Sequence, residues 1–258
     1  MDSNVKTNVR NISSPVKTFF TEMQELNIPV NNLTLRYQQG KTEEILYRED
    51  EYLFAVTTLN CRHKNNLAIT GESGVGKTAF IHYLARYIGK TLPEYSLAEV
   101  SISSLLAGCA FRGEFEKKLT RVIEAAISCK AVVYFDEAHA LSMTGGLNSG
   151  GIDAMNILKP YLTNELRCVI STTTEESVLL KNDVAFTRRF RFLELRPLTD
   201  EMKKNVVIAK FGDNETTRNY LNIIDSDSKP LYEMIDDIDF LFSQHEIGKQ
   251  YDEIHTEQ

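Results

Sequence analysis

No stretch of this sequence stays apolar for long. The clearest run, residues 131–135, falls far short of the roughly 20 residues that cross a bilayer, so direct membrane insertion is not expected. The first 14 residues are polar and lack the apolar segment of a secretory signal. Cysteine is scarce: Cys61, Cys109, Cys129 and Cys168 form no C-x-x-C pair and stand beside apolar neighbours, which suits reduced thiols and a cytoplasmic setting. Internal repeats and low-complexity tracts are missing, and so is a basic stripe. The formal charge is -7, and residues 201–258 hold 13 acids and 6 bases against 23 of each elsewhere, so the acidity belongs to the C-terminal part. A chain so balanced is poorly suited to gripping nucleic-acid phosphates.

What is present is a globular composition, with 42% hydrophobic and 25% charged residues over 258 positions, enough for one core and a small second lobe. Ser14 and Pro15 mark a helix start, and Val16, Phe19, Phe20, Met23 and Leu26 follow at helical spacing. That stripe serves packing onto the body, or docking of a partner. Residues 29–32 read as a linker. Beyond it, the short apolar segments 67–70, 100–102, 132–136, 168–171 and 192–195 read as buried strands, alternating with amphipathic helices that include residues 78–88. The fold class expected is therefore α/β, a three-layer sandwich around a central parallel five-stranded sheet. Pro197 ends the last strand, and Asp200 caps a helix through Lys210. Further helices over 220–224 and 231–242 complete a small C-terminal helical lid. From His245 the chain is polar enough to fray. The organisation expected is an N-terminal helix and linker over 1–31, a large α/β domain over 32–199, a reduced lid over 200–244 and a polar acidic tail over 245–258.

Gly71-Glu72-Ser73-Gly74-Val75-Gly76-Lys77-Thr78 fits G-x-x-x-x-G-K-[ST], directly after a strand and directly before a helix. The glycines let the backbone wrap phosphates so that successive N–H groups and the helix N-terminus face anionic oxygens. Lys77 is placed to meet the β- and γ-phosphates, and Thr78 to offer a hydroxyl to Mg²⁺. Residues 132–135 then lead into Asp136 and Glu137, which puts two carboxylates at the C-terminal edge of a strand, where α/β sheets bind ligands. Asp136 would orient Mg²⁺ and Glu137 would activate the attacking water; on their own, such acids also cap helices. No N-K-x-D element for guanine is present, so ATP with Mg²⁺ is the nucleotide expected.

Further segments add a resemblance. They are residues 61–66 (CRHKNN), 106–116 (LAGCAFRGEFE), 135–139 (FDEAH), 153–160 (DAMNILKP), 164–168 (NELRC) and 188–190 (RRF), in this order. Over residues 32–199 the chain resembles the first ATPase module of the Clp chaperone ATPases, within the AAA+ type. The resemblance implies that Phe111, flanked by Gly108 and Gly113 and followed by Arg112, lies on a loop facing the channel of a ring, where an aromatic side chain grips polypeptide without sequence choice. It implies that Arg188 and Arg189 reach the γ-phosphate of a neighbouring subunit. Thr173 matches the polar sensor that holds the attacking water, with Thr172 and Thr174 close enough to leave the choice open. Ile45 and Leu46 match the adenine pocket wall, but Tyr47 stands where the family has glycine.

The lid is shorter than the family's, and residues 229–238 match its lid helix only faintly. The family's N-terminal domain, coiled-coil insert and second ATPase module are not found in this sequence. The function expected is thus an ATPase working as a homo-oligomer, a hexamer by family expectation, that remodels, unfolds or threads a protein client or companion complex. The alternatives are an ATP-dependent assembly switch or scaffold that acts without threading, and, weakest of the three, a nucleic-acid remodeller.

Overall fold

The computed structural model describes residues 14–42, 44–109, 111–143, 154–163, 165–225 and 229–256. The chain opens with helix α1 (Ser14–Glu25), strand β1 (Val30–Asn32), helices α2 (Leu33–Gln38) and α3 (Glu49–Asn60), strand β2 (Asn66–Gly71) and helix α4 (Lys77–Thr91). Strand β3 (Ser96–Val100), helices α5 (Ile102–Leu106) and α6 (Arg112–Ser128), strand β4 (Ala131–Phe135) and the short helices α7 (Ala140–Met143) and α8 (Ala154–Leu158) follow. After the 3-10 turn Tyr161–Thr163 come strand β5 (Cys168–Thr173), helices α9 (Ser177–Lys181) and α10 (Val184–Thr187), and strand β6 (Phe190–Leu195). Helices α11 (Asp200–Phe211), α12 (Glu215–Ile223) and α13 (Leu231–Thr256) end the described chain.

The sheet order is β1-β3-β4-β5-β2-β6. Five strands are parallel, as the alternation of strands and helices requires, because each crossover must return the chain to the same edge. Successive side chains along the strands go to opposite layers. Ala68, Ala98, Val133, Phe135 and Ile170 pack with Phe19, Met23, Phe115, Leu119 and Leu158 of α1, α6 and α8. Leu67, Ile69, Leu97, Val132, Tyr134 and Val169 pack with Ala55, Leu59, Phe80, Ile81 and Leu84 of α3 and α4. At about 1.5–3 kcal/mol for each large side chain fully buried, these two layers hold the sandwich together.

The structure corrects several boundaries. Residues 29–32, expected as a linker, carry a sixth, antiparallel edge strand: Val30 pairs with Val100 and Asn31 with Glu99, and the Asn31 amide donates to the Glu99 carboxylate at 2.8 Å. The strand expected over 100–102 runs instead from Ser96 to Val100, because Ser101 caps α5 by accepting the Ser104 N–H at 3.3 Å, which turns Ile102 into the first residue of a helix. Helix α11 is capped by Thr199, not Asp200: the threonine hydroxyl accepts from Met202 N at 3.4 Å. From His245, where fraying is expected, α13 continues to Thr256. The N-terminal stripe packs onto the body, with Phe19 and Met23 wholly buried, while the side chain of Val16 lies outside the described residues.

The three last helices enclose a small core of their own, made by Val207, Tyr220, Met234 and Ile238. Among the described residues, no helix is long and apolar enough to cross a membrane.

Candidate functional site

The C-terminal ends of the parallel strands converge on the turn from Gly71 to Lys77. Gly74 (φ 75°) and Gly76 (φ 98°) occupy the left-handed region that suits glycine, and Gly76 precedes α4 without any side chain capping its first N–H groups. Those donors, and the positive end of a 15-residue helix, are of the kind that suits an anion. The Lys77 ammonium donates to the carbonyls of Gly71 at 3.0 Å and Glu72 at 2.9 Å, so it lies along the floor of the turn. Burial holds its pKa below the ordinary lysine value, and the charges of Asp136 and Glu176 partly offset this. Thr78, in the first turn of α4, leaves its side chain exposed. Glu72 and Ser73 are exposed on the same loop.

Asp136 follows directly on β4. One of its oxygens accepts from the Ser171 hydroxyl and, at 2.9 Å, from Glu137 N; Ser171 in turn is 2.9 Å from the Tyr134 hydroxyl. This buried chain fixes the carboxylate, and burial raises the Tyr134 pKa so that the phenol stays protonated. Glu137 is exposed and sits at φ 49°, a left-handed conformation that costs an ordinary residue roughly 1–2 kcal/mol. The turn is pinned by Ala138 N, which donates to Ser171 O at 2.8 Å.

Thr173 stands in register with Gly71 across the β2–β5 pairing, and Thr172 with Thr70. The Thr173 hydroxyl donates to Glu176 at 2.8 Å, and those bonds hold the Glu176 carboxyl below its ordinary pKa. His139 Nδ1 lies 3.2 Å from the same carboxylate. Thr172 is buried, Thr173 partly open and Thr174 exposed, and Thr173 is the one in register with Gly71.

Ile45 and Leu46 line a cleft of about 540 Å³ together with Val75, Gly76, Ala79, Phe80 and Leu198. The lid closes it, through Val206 and Ala209 of α11 and Leu231 and Ile235 of α13. An apolar cleft against a phosphate-binding turn suits a flat heterocycle, and the segment that matched a lid helix faintly is the one that supplies part of its wall. Arg48 was not singled out from the sequence. It is buried, donates to the Arg196 carbonyl at 2.8 Å and the Val75 carbonyl at 3.4 Å, and pairs with Glu51 at 3.0 Å. It therefore ties the cleft wall to the phosphate loop and the end of β6. Its sequence signal is the arginine of the stretch 46–51, which resembles the family's I-G-R-D-x-E.

Arg188 and Arg189 do not join this site. They precede Phe190, which pairs with Asn66 at the opposite end of β2 from Gly71, roughly 17 Å away at about 3.3 Å per residue. The buried Asn66 amide fixes that corner, donating to Leu162 O at 2.8 Å and Arg189 O at 3.2 Å and accepting from Cys168 N at 2.9 Å. Arg189 is tied back to Ala185 O and Thr163, whereas Arg188 is exposed. Phe111 is 75% exposed before α6, with Gly108 (φ 70°) in the preceding turn. The side chain of Arg112 lies outside the described residues, as do Asp153 and Asn164 of the sequence motifs.

The model of the ATPase family associated with various cellular activities matches residues 67–198. Chaperone protein ClpB 1 of Nostoc sp. is 38% identical over 169 residues, which is 62% of this chain and 19% of that protein. Heat shock protein 104 of Schizosaccharomyces pombe is 33% identical over 200 residues, covering 74% of this chain and 22% of that one. Among solved structures, Hsp104 in a closed state with ATPyS and FITC casein superimposes with a TM-score of 0.61 at 30% identity, over 69% of this chain and 31% of that chain. The S. cerevisiae Hsp104:casein complex in its extended conformation gives 0.63 at 26% identity, over 81% and 39%. The chain spans about a fifth of the length of these curated relatives.

Proposed function

We propose, from the premise that this chain belongs to the ATPase family associated with various cellular activities, that it acts as one protomer of a homo-oligomeric ring, hexameric by the family's habit, and couples ATP hydrolysis to remodelling a partner protein. The observation that carries this reading is the meeting of two elements on one sheet edge: a glycine-lined turn ahead of α4, and an acid pair whose second member, Glu137, is displayed by a left-handed backbone. Main-chain N–H groups from Gly71 to Thr78 and the Lys77 ammonium bind and orient the phosphates. Ile45 and Leu46 receive the base. The Thr78 hydroxyl and the Asp136 carboxylate form an all-oxygen donor pair that fits Mg²⁺; when bound, the ion would neutralise charge on the phosphates. Glu137 orients the attacking water and accepts its proton, and Thr173 restrains that water from β5. Arg188, with Arg189 beside it, serves the phosphates of the adjacent subunit.

Phe111 and Arg112 supply the contact with a client polypeptide. The exposure of the ring favours threading over a switch that acts without grip. The test combines three variants. Lys77→Ala should abolish nucleotide binding. Glu137→Gln should bind ATP but release phosphate at least about 100-fold more slowly, the scale of a lost general base. Phe111→Ala should keep basal phosphate release and lose client remodelling. Unchanged turnover in Glu137→Gln sinks the assigned chemistry, and remodelling retained by Phe111→Ala favours the assembly switch.

A further inference from the structure

We propose that Tyr232 is a positioning residue for the nucleotide, acting through Gly74: its ring bears on the crown of the phosphate loop and ties nucleotide retention to the closed position of the lid. The proposal rests on reading residues 71–78 as the phosphate cradle and adds a residue that this reading does not use.

The contact is close. A methyl group added at Gly74 would lie 2.4 Å from both Cδ1 and Cε1 of Tyr232, far inside van der Waals distance, so the ring edge occupies the space where any side chain would go. Gly74 also has φ 75°. Glycine is thus required there twice, once by its backbone and once by a side chain arriving from the lid. The loop whose N–H groups face the phosphates is backed at its apex by an aromatic edge.

The ring is also firmly mounted. Tyr232 lies in the first turn of α13, whose Met234 and Ile238 are fully buried in the lid core. Asp237, one and a half turns along the helix, accepts from Tyr220 at 2.7 Å and from Lys229, the residue just ahead of Pro230. The Lys203 ammonium of α11 donates to the Lys229 carbonyl at 3.2 Å. Three segments of the lid therefore fix the start of α13, and a ring carried on it moves with the lid as one body. Leu231, its neighbour, lines both the apolar cleft and a second cleft of about 300 Å³ beside Glu72, Ser73 and Gly74.

Core packing does not account for the side chain. Tyr232 remains 47% exposed, and its hydroxyl donates to the adjacent Glu233 at 3.0 Å rather than to the loop. The ring edge, not the hydroxyl, makes the contact, and this distinguishes the two variants that test it. When the lid swings outward the ring leaves Gly74, and the loop loses the support that keeps its N–H groups converged.

The test is stopped-flow release of a fluorescent ADP analogue from the full chain, with thermal melting alongside. Tyr232→Ala should release ADP about fivefold to tenfold faster than the unmodified protein, because the loss falls on dissociation rather than association. Tyr232→Phe should stay within about twofold, since it keeps the ring edge. Neither should shift the melting transition, as the side chain is half in water. Release from Tyr232→Ala that is unchanged or slower overturns the proposal, provided the unmodified protein binds the analogue and Lys77→Ala does not. Failure of the unmodified protein to bind overturns the cradle itself, and the role of Tyr232 with it.

Discussion

Tyr47 holds φ 62° at the position where glycine was expected, between the cleft-lining Leu46 and the buried Arg48. The backbone here needs glycine's freedom and the sequence supplies a bulky aromatic, a strain of roughly 1–2 kcal/mol. Replacing it relieves that strain but adds conformational entropy to the unfolded chain, about 0.4–1 kcal/mol in the other direction. Tyr47→Gly should therefore stabilise the protein by about 0.5–1 kcal/mol, read as a higher denaturant midpoint at unchanged slope. A lower midpoint would mean that packing of the ring outweighs the backbone term. Glu137 is the other strained acid or aromatic that matters here, and its strain lies where chemistry is proposed. Both residues were visible in the sequence by identity, yet their left-handed backbones were not, because a positive φ at a non-glycine residue is imposed by what surrounds it.

At the level of elements, helix caps at Ser101 and Thr199 account for two boundaries that the reading from sequence misplaced. Four of the five parallel strands were found because each is an apolar run between amphipathic helices, whereas the strand expected over 100–102 shares only Val100 with β3; the phosphate loop was found because its spacing is dictated by the ligand's geometry. The edge strand β1 was missed, since three residues beginning after a proline carry too little apolar signal; it is held by main-chain pairing to β3 and by the Asn31–Glu99 bond. Ser171 was legible only as a strand residue, and Asn66 only as the end of the motif over 61–66. Their roles arise from neighbours far away in sequence, Asp136 and the Arg189 corner, which no local pattern reports. For α11 the cap was misplaced by one residue, and this has a measurable outcome. Thr199→Ala should cost about 1 kcal/mol, a fall of about 2–4 °C in melting temperature. Asp200→Ala, which removes only a partly exposed pairing with Lys203 at 3.2 Å, should cost less than about 0.5 kcal/mol. The reverse order would restore the aspartate as the cap.

For the molecule as a whole, the decisive dimension is the length of β2. Its C-terminal end carries the phosphate loop and its N-terminal end abuts the arginine corner, so the length of the strand separates Arg188 from the phosphate loop of its own chain. Complementation tests this. Arg188→Ala protomers keep a cradle but lack the exported guanidinium; Lys77→Ala protomers lack the cradle and keep the guanidinium. Each variant alone should be nearly inactive, and a mixture should recover measurable phosphate release because some interfaces combine the two intact halves. A mixture no more active than its components would mean that each site is complete within one chain.

On the proposed assignment of Arg188 to a neighbouring site, that separation would make catalysis answer to concentration. A protomer that needs a neighbour's side chain should hold nucleotide while solitary without consuming it, so turnover per chain should fall on dilution and return on crowding. The six-stranded sheet would then work as a ruler that keeps an unassembled subunit idle.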